Sequence, residues 1–541
     1  MEPDLNAEGI SPAATAKIPV AGRYGWLRPS HQHTAFSATL LLMASSLLSG
    51  VMGLVRQKYI AYIFGAGAQT DAYNAAFELP DMINYFLIGG VASITFVTIL
   101  SRYREAGQEA EGDRALSAVL NAMLVVLTAG ILLAEIFAPL YTHYKFPGFN
   151  ANPAQAALCT SLTRILPPAQ LFFFAGGVLG SRLLVRKIFA YQALTPLIYN
   201  AGIIAGGLLL ARRMGVHSLA IGALAGALLG PFLLNGWGAL RTGMRYWPRL
   251  DFGHPALKEW LRLSVPLMLG VSLVTADKWI LTYFASHDTG GITRLTFAKT
   301  LFTAPMSIIG QAAGAASLPF FASLYSQGKG AEFAAAINRS VSRMLAVSLL
   351  LSALMIALAR PAVDLIFRGG SFHRADASAT ALYFAVFSLS LALWAAQAIY
   401  ARGFYAAGDT LTPMVAGTII TLASLPVYWA LFHTRGLVGL AIASDLGILT
   451  HTLVLALLLH MRKLASLAGL EGMEILRVVL AAAVSFVGIR LLLQHGHFSG
   501  GYGGDGIVIA AGTLLWVVLG GGTLLLLRSR LPGELMGRFW K

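Results

Sequence analysis

The stretch IFGAGAQTDAYNAAFELPDMINYFLIGGVAS, Ile63 to Ser93, opens a long apolar run and yet carries Asp71, Glu78 and Asp81. Its apolar part, from about residue 72 to 100, is long enough for a membrane-crossing helix, which needs about 20 residues for a hydrocarbon layer roughly 30 Å thick. An ionised side chain at the centre of such a layer costs roughly 3 kcal/mol or more, so acids there require partners or a water-filled path. The reading of this stretch therefore sets two expectations together, a membrane span and a polar feature inside it.

The rest of the chain has the same character. Of its 541 residues 57% are hydrophobic and only 12% charged, with a mean hydropathy of +0.69. These values indicate an all-α polytopic membrane protein. Fourteen apolar stretches qualify as spans, among them 36–55, 72–100, 261–283, 293–322, 412–433 and 437–460. An even number puts both termini on one side. With the N-terminus placed inside, about twice as many Lys and Arg fall on the inner loops as on the outer face, so both termini are expected in the cytoplasm. This topology also absorbs most of the +15 net charge. A nucleic-acid role would need a basic soluble domain, and the longest polar stretch is the short, mixed tail Met1 to Thr34. That tail lacks the pattern of a cleaved signal, so the first span is expected to stay as an anchor. Cys159 stands alone, which excludes an internal disulfide and favours a packing role.

Part of the opening stretch recurs about 220 residues later. AAFELPDMINYFLIGGVAS (Ala75 to Ser93) and AKTLFTAPMSIIGQAAGAAS (Ala298 to Ser317) each place a proline early in a long span, followed by a segment rich in small residues. ALTPLI (Ala193 to Ile198) is echoed by TLTPMV (Thr410 to Val415). Six spans separate matched positions, so the repeats share an orientation and are related by an axis along the membrane normal. The expected organisation is a tail (1–35), an N-lobe of six spans (36–241), a C-lobe of six (242–462), and two added spans with a short tail (463–541). Pro80 and Pro305 should bend the second and eighth spans, because each removes a helical hydrogen bond. At matched positions they point to a central cavity, where irregular backbone is tolerated.

The charges inside spans belong to the first two spans of each lobe: Arg56 and Lys58, then Asp71, Glu78 and Asp81, then Asp277, Lys278 and Lys299. Arg56 and Lys58 also fit side chains that snorkel to the headgroups. Asp71 also fits an N-cap of its own helix in TDAYNAAF. Lys278 and Lys299, with Arg56 opposite, would make a cationic cavity between the lobes. A mutual pairing network with Glu78 and Asp81 is the competing arrangement. Gly50, Gly89 and Gly90 fit hinges or, more simply, close helix packing. Nucleotide, zinc-hydrolase and nucleophile-elbow motifs are absent, so no cofactor, metal or enzymatic chemistry is expected.

The stretch GLVRQKYIAYIFGAGAQTDAYNAAFELPD, with LIFRGGSFHRADASATAL (Leu365 to Leu382), RGFYAAGDTLTPM (Arg402 to Met414) and GLVGLAIASDLG (Gly436 to Gly447), resembles the MurJ/MviN family of lipid II flippases within the MOP exporter superfamily. The likeness spreads over most of residues 36–460. It implies fourteen spans in two six-helix lobes plus two C-terminal helices, and alternating access. It also implies a cationic cavity for the pyrophosphate-sugar head, and a groove by the last two helices for the polyprenyl tail. Arg56, Lys278 and Lys299 become the expected substrate-binding cations; Asp71, Glu78, Asp81 and Asp277 become gate or structural acids. The expected partners are a lipid-linked anionic glycan and membrane lipids, with cell-wall synthesis proteins as further candidates. The chain departs from the family pattern at Gly50, near Asn84 and Tyr85, near Gly89, and at Lys299-Thr300, where the family usually carries arginines or acids. Those departures keep a second cargo open, another lipid-linked oligosaccharide of exopolysaccharide type. They also leave open a non-transporting cell-envelope scaffold. A drug or cation antiporter is less favoured because its cavity would rely on acids.

Overall fold

The computed structural model describes residues 35–85, 91–268, 273–496 and 501–534, so the polar tail through residue 34 and both Gly89 and Gly90 lie outside the described residues. Apart from one isolated bridge between Gly369 and Phe372, the regular structure in them is helical. The N-terminal half opens with α1 (Ala35–Phe64), followed by α2 (Ala68–Ala76), α3 (Glu78–Ile83), α4 (Val91–Glu105) and α5 (Glu109–Lys145). It continues through α6 (Pro153–Ile165), α7 (Ala169–Val185), α8 (Ala190–Met214), α9 (His217–Ala227) and α10 (Asn235–Arg241). The second half runs through α11 (Pro255–Met268), α12 (Leu273–Ala285), α13 (Gly291–Met306), α14 (Ala312–Ser326) and α15 (Gly330–Ala357). After these come α16 (Ala359–Ile366), α17 (Arg374–Leu389), α18 (Leu391–Ala406) and α19 (Leu411–Met461), then α20 (Gly472–His495) and α21 (Tyr502–Leu526).

Nine helices among the described residues are long and apolar enough to cross a membrane, or ten if α17 and α18, bent by 41°, count as one. This is a multi-pass membrane protein, and the expected count of fourteen is not confirmed among the described residues. Among the described residues the expected second span is broken at Phe77 and the eighth after Met306, and the eleventh and twelfth run together in the 51-residue α19; residues 86–90 of the second span and 269–272 of the seventh lie outside the described residues. The interruptions have local causes. α2 gives way to α3 at Phe77, three residues before Pro80, whose ring crowds the preceding turn. α13 ends one residue after Pro305 and leads through a π-helical turn, Ser307–Gln311, into α14. Within α19 Gly436 sits at φ 59° and ψ −140°, which a residue with a Cβ rarely adopts.

The first span extends past the expected limit of residue 55, because α1 continues to Phe64 and carries Arg56 and Lys58 within it. Protein groups satisfy both charges. Arg56 donates to Asn200 Oδ1 at 3.0 Å, and Lys58 donates to the Arg368 carbonyl at 3.2 Å and lies over the Tyr502 ring.

Small residues bring α8 and α9 together. Gly202 faces Gly226 and Gly206 faces Gly222; a Cβ at 202 or 206 would stand 2.6 Å from the opposing Cα. Two glycines four residues apart on each helix let the backbones touch, the usual means of association where no hydrophobic force acts between helices in lipid. On the outside, leucines such as Leu209 and Leu526 stay exposed.

Three buried clusters define how the halves meet. One contains Ile60, Ala72 and Tyr73 of the first half together with Phe297, Phe367 and Tyr428 of the second. It joins the halves at the end where α2 and α13 begin. Toward the opposite end the cores separate. One groups Phe96, Leu116 and Phe174 with Trp260 of α11, and the other groups Phe321, Phe333, Phe404 and Leu455. α11 thus packs on the N-terminal half although it follows residue 242. The connection before it is tied down on α5: Asn121 donates to the carbonyls of Trp247 and Arg249 at 2.8 and 2.9 Å, and Asp113 accepts from Arg245 N at 3.0 Å.

Candidate functional site

Each acid in the opening stretch reaches the other half of the chain. Asp71 is fully buried, and its carboxylate accepts from Gly290 N at 2.5 Å, Thr293 N at 2.8 Å and Thr293 Oγ1 at 2.7 Å. It therefore caps the start of α13, not its own helix, whose N-cap is Gly67. The free N–H groups of a helix start carry partial positive charge, which makes them good partners for a buried carboxylate.

Two turns further along, Glu78 is fully buried, accepts from Thr282 of α12 and pairs with Lys145 at 3.0 Å. Lys145 also donates to the Trp279 carbonyl at 2.6 Å. Asp81 lies nearer the middle of the molecule and pairs with Lys278. The three acids form a descending series of ties from the joined end toward the centre. Near its outer end the turn after α16 adds to the closure: Ser371 N donates to the Tyr62 carbonyl at 2.9 Å. Gly370 at φ +56° makes this approach feasible, since a Cβ there would meet the Tyr62 carbonyl oxygen at 2.1 Å.

At the inner end of the series lies a cavity of about 400 Å³, lined by Gln57, Lys278, Thr282, Thr296, Lys299 and Trp394 among others. α12 contributes one face to it, and Thr300 of α13 also borders it. Lys299 pairs with Asp277, which is 1% exposed and also accepts from the Tyr428 hydroxyl at 2.5 Å. Of the expected pairings with Glu78 and Asp81 the structure has Lys278 with Asp81, while Glu78 takes Lys145 and Lys299 takes Asp277. Both lysines border the space, and the lining includes neither Asp81 nor Asp277. The two lysines thus line the space while each is paired with an acid outside its lining, Asp277 buried and Asp81 half exposed.

The structure does not bring Arg56 into that lining. Its guanidinium turns to Asn200 of α8, which is held in turn by Ser49 at 3.2 Å. Pro80 and Pro305 fall at the irregular segments of the second and eighth spans, and Gly50 lies on α1 with nothing within 4 Å of an added Cβ. Tyr85 stands edge-on to Trp279 at 6.0 Å. Sequence reasoning missed Lys145, Thr282, Thr293 and Tyr428. Lys145 lies at the last residue of α5, outside the expected spans, and hydroxyls inside apolar spans carry no signal of their own. Cys159 is buried in the joined core, consistent with packing.

Comparison with known proteins bears on the family and the fold. The family model described as "Lipid II flippase MurJ" matches residues 60–505. A probable lipid II flippase MurJ of Buchnera aphidicola is 26% identical over 458 residues, covering 83% of this chain and 88% of that protein. The lipid II flippase MurJ of Burkholderia cenocepacia is 27% identical over 449 residues, 79% and 84% of the two chains. Among solved structures, a lipid II flippase MurJ in an inward closed conformation superposes with a TM-score of 0.74 at 22% identity, covering 90% of this chain and 99% of that one. An inward-facing multidrug resistance MATE transporter of the MOP superfamily gives 0.64 at 15% identity, over 79% and 98%. With a match across more than four-fifths of its length, the chain belongs to the MurJ family of lipid II flippases.

Proposed function

We propose that the protein moves a polyprenyl-pyrophosphate-linked glycan, with the peptidoglycan precursor lipid II as the favoured cargo, across the bacterial cytoplasmic membrane by alternating access. The observation that carries this reading is the lining of the central cavity, to which Lys278 and Lys299 contribute and their acids do not. A pyrophosphate needs cations, and two lysines line this cavity. Residues 36–241 together with α11, which packs on them, act as one moving lobe and the rest of 242–462 as the other, joined at one end by Asp71, Glu78 and Asp81. The excess of inner-loop Lys and Arg supports an orientation with both termini in the cytoplasm and the joined end outward. For the prenyl tail, an apolar groove of about 430 Å³ on α20 and α21, lined by Val484, Val487, Leu491 and Leu519, supports a place beside the last two helices. Lys278 and Lys299 would hold the head group, and Arg56 would act from the wall of α1 against α8.

The test is replacement of an essential lipid II flippase that can be switched off, using this chain and the variants Lys278→Ala and Lys299→Ala, with membrane levels measured. Growth with the parent chain, lost in well-inserted lysine variants, is the expected result. Absence of rescue by a well-inserted parent chain would overturn lipid II as cargo.

A second cargo, another lipid-linked oligosaccharide, is favoured by one observation: positions 50 and 300, where the family usually carries arginine, are Gly and Thr, and Thr300 borders the cavity. Under that reading deletion of the gene leaves a different lipid-linked sugar accumulated inside. Gly50→Arg, which has open space for its side chain, should then improve lipid II rescue.

A further inference from the structure

The ties between the halves are unequal. Asp71 and Glu78 have no exposed surface, whereas Lys278 and Asp81 are each 46% exposed along their side chains. Of the two members of that pair only Lys278 borders the cavity. The pair joins α3 of the first half to α12 of the second, so it is at once the innermost tie and the one in reach of a ligand. An ion pair this exposed holds weakly. A pyrophosphate brings more charge and more acceptor oxygens than a carboxylate and would compete well for the ammonium group.

Resting on the reading of the cavity as a pyrophosphate site, we infer that Asp81 is an internal substitute for the cargo's anionic head. It holds Lys278 while the cavity is empty and yields it when a pyrophosphate enters, which releases the innermost tie between the halves. Lys299 has a different part. Its acid, Asp277, belongs to the same half, is buried, and is held by Tyr428 as well. Cargo contact at Lys299 thus anchors the head without altering any link between halves, and Lys278 alone couples binding to closure. Because Asp81 and cargo exclude each other at Lys278, each weakens the other by the same factor. Asp81 is accordingly a positioning residue with an unusual sign: its removal strengthens ligand binding and loosens the closed end.

The experiment uses the full chain in lipid nanodiscs, with geranylgeranyl pyrophosphate as probe and geranylgeraniol as the uncharged control. Asp81→Asn should bind the probe roughly three- to fivefold more tightly than the parent, the competition factor of a weak ion pair. Asp81→Glu should bind like the parent, and Lys278→Gln and Lys299→Gln should bind weakly. Asp81→Asn combined with Lys278→Gln should behave as Lys278→Gln alone. Spin labels on the two halves at the joined end should separate on probe binding in the parent and stay put in Lys278→Gln. If Asp81→Asn inserts poorly, Asp81→Ser serves in its place. Parent affinity in both Asp81 variants, with binding still dependent on the two lysines, would overturn the inference and leave the pyrophosphate site standing. Binding that ignores both lysines would overturn the site itself and the inference with it.

Discussion

Truncation of Asp71 to alanine strips the buried end of α13 of its carboxylate. Three donors lose their acceptor: Gly290 N, Thr293 N and Thr293 Oγ1. A buried donor left without a partner costs about 1–3 kcal/mol, and the lost charge at a helix start adds up to about 1 kcal/mol more. Thr293 Oγ1 can rotate to a helix carbonyl and water can reach the newly opened space, so about 3 kcal/mol is a reasonable net figure. The groups concerned stay paired only while the halves are joined, so the loss falls on the closed form. At about 1.4 kcal/mol per tenfold, the ratio of closed to open protein should drop roughly a hundredfold. Asp71→Asn keeps one acceptor oxygen and should give a smaller shift, on the order of tenfold. Spin labels at the exposed Tyr144, near the end of α5, and His433, beside the Gly436 kink of α19, would report the change as a longer-distance population. Cys159 is buried and adds little background labelling. An unchanged distance distribution in well-folded Asp71→Ala would refute the reasoning, because it would mean that the carboxylate does not stabilise the joined end.

Removing Lys145 by Lys145→Met leaves Glu78 buried beside Thr282 without its cation, and should lower thermal stability in detergent by about 3–5 kcal/mol. Pairing it with Glu78→Gln should restore most of that loss; strictly additive losses in the double variant would deny the coupling. Gly206→Leu would drive a side chain into the backbone of α9 and should destabilise the first half by at least 1–3 kcal/mol, read from the melting temperature. Asp409, in the connection before α19, is paired with Arg462 and accepts from Thr412 N at 2.9 Å. Its partial burial raises the carboxyl's pKa, but the bonds from Thr412 and Arg462 outweigh that and hold it below the ordinary carboxylate value. The sign follows: its stabilising contribution is present above the ordinary value and is lost as pH falls through the depressed one. Asp409→Asn keeps an acceptor oxygen for Thr412 N but loses the ion pair with Arg462, so it should cost up to about 1 kcal/mol at neutral pH, with the difference from the parent vanishing in acid.

Much of this protein is legible from its residues taken in order. Apolar length and composition decide that a segment belongs in lipid, because the requirement for about 20 apolar residues concerns one helix and its solvent. The same logic marks Asp71, Glu78, Asp81, Asp277, Lys278 and Lys299 as exceptional, since a charge in hydrocarbon is costly whatever surrounds it. The matched prolines and the family motifs likewise follow from local pattern. The sequence alone could not decide the partners. Asp71 follows the rule for a helix N-cap but serves α13, more than 200 residues away, because packing brings that helix start beside α2. Lys278 and Asp277 are neighbours in the chain, yet a helix turns about 100° per residue and sends them to Asp81 and Lys299 respectively. Arg56, grouped with the lysines by residue type, is drawn away by Asn200. Periodicity assigns a side chain to a face of its helix; which neighbour fills that face depends on how rigid helices pack. Only the tertiary structure could show that the acids of the opening stretch hold the two halves together.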